Sequence, residues 1–192
     1  MQRSKAHTAK YNPDKYTKKV VVFIMSSHAS TGKWMFILAW ICGLGLLTLI
    51  FSDVLDGQQN PNREPESMRI DGQTEVRLKQ NRQGHYVTSG QINGKPVVFL
   101  VDTGATAVSI PAHLQQELGL TAGRTGMAQT ANGTVRIART QLDELRIGDI
   151  TLNNVDASLN PGMQGDQILL GMSVLRQLEF TQRQDWLILR TL

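Results

Sequence analysis

The stretch PVVFLVDTGATAVSIP, Pro96 to Pro111, decides how this chain is read. Val97 to Val101 are five apolar residues in a row, the length and β-branched content of a buried strand. The run ends by delivering a carboxylate, Asp102, followed by Thr103 and Gly104. A charged group at the mouth of an apolar strand is costly unless it is paired, hydrogen-bonded or put to use. Three common residues in sequence carry little information alone, so the weight falls on their context. Ala105-Thr106 and a β-branched segment follow at once. Well downstream, ILLGMSVL (Ile168 to Leu175) sets three apolar residues before a glycine, Gly171, that opens a short helix.

Outward from this stretch the signals are mostly β. HYVTSGQI and KPVVFLV flank Asn93-Gly94, and RTGMAQTA and VRIARTQL flank Asn132-Gly133; Asn-Gly between alternating segments is the strongest short hairpin signal. TEVRLKQ alternates, ELRIGDITL turns at Gly148-Asp149, and DWLILRTL closes with an apolar strand. Two short helices are expected. PAHLQQEL has Pro111 at its first turn and Gly119 past its end, and MSVLRQLEF follows Gly171. The expectation is a mostly β domain over residues 75–192, a closed or partly closed barrel, with no internal repeat.

Toward the N-terminus the character changes. WMFILAWICGLGLLTLIF, Trp34 to Phe51, is 18 residues without a charge and predicts one transmembrane helix. A cleaved signal peptide would need a small-x-small site, which FSDVLDGQQ does not offer, and a buried core helix would be amphipathic. Residues 1–33 hold Arg3, Lys5, Lys10, Lys15, Lys18, Lys19 and Lys33 against Asp14 alone, whereas Asp53 and Asp56 follow the apolar run. This asymmetry predicts a basic cytoplasmic tail (1–33) and a domain on the far side, periplasmic in a Gram-negative cell. Met25 is an alternative start. Residues 52–74, polar and carrying two prolines, are expected to be a linker. Because the positive charge sits in the tail, the domain has no basic stripe and nucleic-acid binding is not expected. The single cysteine, Cys42, allows no intrachain disulfide.

The sequence resembles the retropepsin-like aspartic proteases. The likeness rests on the apolar run into Asp102-Thr103-Gly104-Ala105-Thr106, a following hairpin, and Ile168-Leu169-Leu170-Gly171 leading into a helix, and it covers residues 76–192. With the single anchor ahead of it, the chain resembles the bacterial, membrane-anchored branch of that clan. The resemblance implies a single-lobed acid-protease barrel that is active as a homodimer, each copy supplying Asp102, since the chain has one such triplet. It implies a water-activating Asp102/Asp102′ dyad acting on peptide or protein substrates, with no cofactor or metal. Thr103 would tie its loop to the partner loop, and Gly104 would approach closely and hydrogen-bond the carboxylate. Ala105, Asn132 and Gly133 would contact substrate, the last two at the tip of a flap, and Gly171 would pack behind the catalytic loop. The chain departs from many retroviral members in having Met172 and Ser173 after that glycine, so the charged dimer contacts of those members do not carry over. A retropepsin-fold module that binds or dimerises without cutting is the alternative.

Rival sites are weaker. His113 and Glu117 are spaced for a helix face, but no third metal ligand is evident. Ser89 or Ser109 with His85 lacks a nucleophile-elbow pattern, and TGKW at 31–34 lacks the glycines of a phosphate loop.

Overall fold

The structure, a computed structural model, describes residues 28–130 and 133–192. The chain divides into two compact units, Met1–Asp53 and Val54–Leu192.

Helix α1 spans His28–Gln59. Its portion from Gly32 to Gln59 is long and apolar enough to cross a bilayer, and Trp34 to Phe51 present exposed apolar side chains all round. A helix satisfies its own backbone groups, and here the hydroxyls are satisfied locally too: Thr48 Oγ1 donates to Leu44 O at 2.8 Å and Ser52 Oγ to Leu49 O at 2.9 Å. The helix outruns the expected 34–51 span because nothing stops it before Pro61, whose ring disfavours a helical residue ahead of it.

The second unit is mostly β. Its strands are β1 (Glu66–Ile70), β2 (Gln73–Lys79), β3 (Val87–Ile92), β4 (Lys95–Val101), β5 (Val108–Pro111), β6 (Thr125–Thr130), β7 (Gly133–Ile147), β8 (Ile150–Asn160), β9 (Gln167–Leu170), β10 (Leu178–Arg183) and β11 (Trp186–Thr191). A four-stranded sheet has the order β1-β2-β11-β10. A seven-stranded sheet has the order β3-β4-β9-β5-β8-β7-β6 and closes on itself where β3 also pairs with β7. At that closure Gly90 is required. A Cβ there would overlap Arg146 O and lie 2.6 Å from the Phe99 ring. Val76, Leu78, Phe99, Ile110, Leu142, Ile168, Leu170 and Leu189 lie in one buried core shared by both sheets.

Asn93 and Gly94 both take positive φ (49° and 75°), the left-handed pair that joins β3 to β4 without splaying them. Two helical expectations shrink. PAHLQQEL gives only a 3-10 turn, Ala112–Gln115, and the helix after Gly171 is the single turn α2, Met172–Leu175.

The expected linker over 52–74 is replaced by built structure. Its first residues finish α1, Glu66–Ile70 form β1 in antiparallel register with β2, and Asn60 and Asn62 are buried. Asn62 explains why so polar a segment packs. Its Nδ2 donates to Lys79 O and Val87 O at 2.9 and 2.6 Å, its Oδ1 accepts from Lys79 N–H at 2.6 Å, and its C=O accepts from Ser89 N–H at 3.0 Å. The side chain fastens the end of β2 to the start of β3.

Candidate active site

Two apolar strands run side by side into the site. β4 and β9 are parallel, with Phe99 opposite Ile168 and Val101 opposite Leu170, so the next residues, Asp102 and Gly171, emerge together. The sequence folds this way because both runs are apolar, with Phe99 of one and Ile168 and Leu170 of the other buried in the core. The Asp102 N–H donates to Leu170 O at 3.1 Å, which fastens the aspartate to the end of the second strand.

The loop after Asp102 is tightly tied. The Gly104 N–H donates to Asp102 Oδ1 at 2.8 Å, and the Ala105 N–H to Asp102 O at 3.2 Å. One carboxylate oxygen is thereby held by a backbone dipole, and the half-buried side chain keeps access to solvent. Thr103 and Gly104 are exposed, and the Thr103 hydroxyl has no partner among the described residues of this chain. Ala105 is half-buried and uses its C=O to accept from the Met172 N–H at 2.8 Å.

Gly171 is buried behind this loop. A Cβ on it would overlap Ala107 O and sit 2.7 Å from Ala105 O, both backbone atoms that cannot swing aside. Ser173, one of the two residues by which the chain departs from many retroviral members, supplies the second tie. Its hydroxyl accepts from the Val108 N–H at 3.0 Å and donates to Asp156 O at 2.9 Å, linking the loop's exit to β8. No pattern in the sequence marks that role, since it depends on two backbone groups far from Ser173 along the chain.

Of the expected substrate contacts, Asn132 lies outside the described residues. Gly133 begins β7 opposite Thr130 with φ 108°, and its C=O accepts from Thr130 Oγ1 at 2.8 Å. The β6–β7 hairpin therefore exists where the flap is expected. His113 meets Asp166 (Nε2 to Oδ1, 2.9 Å) on the surface and makes no pair with Glu117. Ser89 Oγ accepts from Asn60 Nδ2 at 3.0 Å, and Ser109 Oγ lies 3.2 Å from Met163 Sδ, so both hydroxyls are engaged away from His85.

This geometry has known counterparts. Residues 88–177, which contain both Asp102 and Gly171, match the family described as "gag-polyprotein putative aspartyl protease". A crystal structure of a retropepsin-like aspartic protease from Rickettsia conorii superposes with a TM-score of 0.52 at 26% identity, covering 67% of this chain and 94% of that one. The second unit has the retropepsin-like fold, and its sequence matches the aspartyl protease family over those residues. An uncharacterized protein from the cobV 5′ region of Sinorhizobium sp is 38% identical over 134 residues, 68% of this chain and 58% of that protein. An uncharacterized protein of Rickettsia prowazekii (strain Madrid E) is 30% identical over 119 residues, 60% of this chain and 51% of that protein. The chain thus spans little more than half the length of each of these two relatives.

Proposed function

We propose that this chain is a membrane-anchored aspartic endopeptidase, active as a homodimer in which two copies bring their Asp102 side chains together. The observation that supports this best is the placement of Asp102: it ends one of two parallel core strands, carries a backbone N–H on Oδ1, and leaves Oδ2 for chemistry. Two carboxylates about 3 Å apart cannot both ionise, so the proposed pair would share a proton. The ionised member takes a proton from a water, which attacks the peptide carbonyl carbon. The protonated member gives its proton to the carbonyl oxygen, which leaves a tetrahedral diol. The diol collapses as the first member passes its newly gained proton to the amide nitrogen, the C–N bond breaks and a diol hydroxyl returns a proton to the other carboxylate. Thr103, exposed beside Asp102, would tie the two loops across the two-fold axis. Ala105 and the tip of the β6–β7 hairpin, Asn132 and Gly133, would contact substrate backbone, and Gly171 would hold the loop from behind. The apolar helix would anchor each copy, with the basic residues before it on the cytoplasmic side and the protease domain in the periplasm.

Asp102→Asn keeps the shape and an acceptor for the Gly104 N–H but removes the titrating group. In detergent-solubilised full-length chain, cleavage of a peptide library is expected to fall by about 100-fold or more, the scale of losing a general acid–base group, while far-ultraviolet circular dichroism stays unchanged. Equal cleavage by the two proteins, or none by either, would sink the protease reading and leave a binding module of the same fold.

A further inference from the structure

Ser89 of β3, Val98 of β4 and Gln167 of β9 form one row across three strands, directly opposite one another in register. Residues paired in this way point to the same face, and alternation along β4 puts Val98, Leu100 and Asp102 on that face. Phe99, between them, points the other way into the core. A cavity of about 420 Å³ stands over this row. Its floor is Val87, Ser89, Val98 and Gln167, and its wall is Asp56, Gln59, Asn60 and Arg63. The whole wall precedes residues 88–177, the part of the chain that matches the family. Val98 lies four residues before Asp102. That is about 13 Å of strand, the reach of about four residues of an extended peptide. Between them lie the paired Leu100 and Leu169, both half-buried, so an apolar strip joins the cavity to the aspartate.

The wall is fastened to the floor by polar bonds. Asn60, itself buried, donates from Nδ2 to Ser89 Oγ at 3.0 Å and from its N–H to Asp56 O at 2.9 Å. The Ser89 N–H donates to Asn62 O at 3.0 Å. Asp56 and Gln59 share one face of the last turn of α1. What remains unspent is polar. Ser89 accepts from Asn60 and keeps its own O–H, while the Gln59 and Gln167 side-chain amides make no hydrogen bond among the described residues. Arg63 Nη2 stands 3.6 Å from Asp56 Oδ2, so the two charges of the wall offset each other.

We propose that this cavity is a substrate subsite that takes a glutamine side chain about four residues from the scissile bond. The proposal rests on the protease reading and names the class of peptide that the enzyme prefers. A glutamine stem covers Val87 and Val98, and its carboxamide both donates and accepts, which matches a lining of amides, hydroxyl and opposed ions. A lysine head is drawn to Asp56 but meets Arg63, and a glutamate head meets the reverse, so either is penalised by one charge of the pair. A leucine displaces water from the polar lining without replacing its hydrogen bonds. In the proposed symmetric dimer each copy offers the same cavity, so glutamine is favoured on both sides of the cut.

The test uses detergent-solubilised full-length chain and one set of fluorescent decapeptides carrying Gln, Leu, Glu or Lys at each position in turn. Gln placed about four positions from the cut is expected to raise kcat/KM about tenfold over Leu. Removing one charge of the wall is expected to redirect the preference in opposite senses. Arg63→Ala should favour Lys and Asp56→Asn should favour Glu, each by about tenfold relative to the parent. Opposite shifts cannot arise from partial unfolding. Equal cleavage of all four sets, or a preference that neither variant moves, overturns the proposal. Fluorescence anisotropy of the same peptides on the Asp102→Asn chain separates the two readings. Gln-selective binding that Arg63→Ala and Asp56→Asn redirect, with no cleavage by the parent, overturns the protease and keeps the subsite. Cleavage abolished by Asp102→Asn, with all four side chains equivalent at every position, overturns the subsite and keeps the protease. No cleavage and no Gln-selective binding overturns both.

Discussion

At Asp102 the surrounding groups are nearly all backbone, and this makes the neighbouring residues intolerant in a way that burial alone does not convey. The Gly104 N–H, the Leu170 C=O and the Ala105 C=O form a chain of short hydrogen bonds running from Asp102 to Met172. Gly171 sits where that chain passes closest to the Ala105–Ala107 segment. A methyl at position 171 meets carbonyl oxygens rather than a mobile side-chain end, so the strain falls on the loop that carries the carboxylate. Gly171→Ala is expected to destabilise the domain by about 1–3 kcal/mol, the usual cost of overpacking a tight site. It is also expected to reduce cleavage more than that loss of folded protein accounts for. Urea unfolding and initial rates on the same preparations check both, and a fully stable, fully active Gly171→Ala chain would remove the support role.

Elements tell a different story, in which apolar pattern was legible and polar packing was not. β4, the Asn93-Gly94 hairpin and the closing strand could be read because alternation or an apolar run fixes a strand's face. β1 was missed even though Asp71-Gly72, with φ of 51° and 85°, is as good a hairpin signal as Asn93-Gly94. Its flank ESMRI presents too few apolar residues to look packed. Asn60 and Asn62 looked like linker residues for the same reason, though hydrogen-bond geometry rather than burial of carbon places them. Asn62→Ala strands the Lys79 N–H and the Lys79 and Val87 carbonyls, and a loss of about 2–4 kcal/mol is expected from those unmet groups. A Tm unchanged from the parent would show that water replaces the side chain. Glu75 of β2 belongs to the same class. It is 1% exposed and accepts from Arg190 Nη2 at 2.6 Å and Arg77 Nε at 2.8 Å. The hydrogen bond from Arg190, then that from Arg77, hold its carboxyl below the ordinary 4.5, against the opposing effect of burial. A depressed folded value means the contribution is complete above the unfolded value and is lost as pH falls through the folded one. Unfolding measured from neutral pH down into the acid range is therefore expected to show stability falling below about pH 4.5. In Glu75→Gln that dependence should be shallower and the neutral-pH stability lower. An unchanged acid limb in the variant would place the sensitivity elsewhere.

For the whole molecule, a single Asp-Thr-Gly triplet and the one long apolar helix among the described residues combine into one kinetic expectation. On the proposed function a half-site is inert until another copy arrives, and a helix holding each copy in a bilayer would turn that encounter into a two-dimensional one with a raised effective concentration. Rate per chain should then depend on surface density rather than on bulk concentration. Full-length chain reconstituted at increasing protein-to-lipid ratio, with total protein constant, is expected to gain specific activity roughly in proportion to density while dimers are scarce. It should then level off when most chains are paired. A monomeric catalyst would give a flat line at every density. A chain paired before insertion would also give a flat line, and cross-linking of the detergent-solubilised chain before reconstitution tells it from a monomeric catalyst.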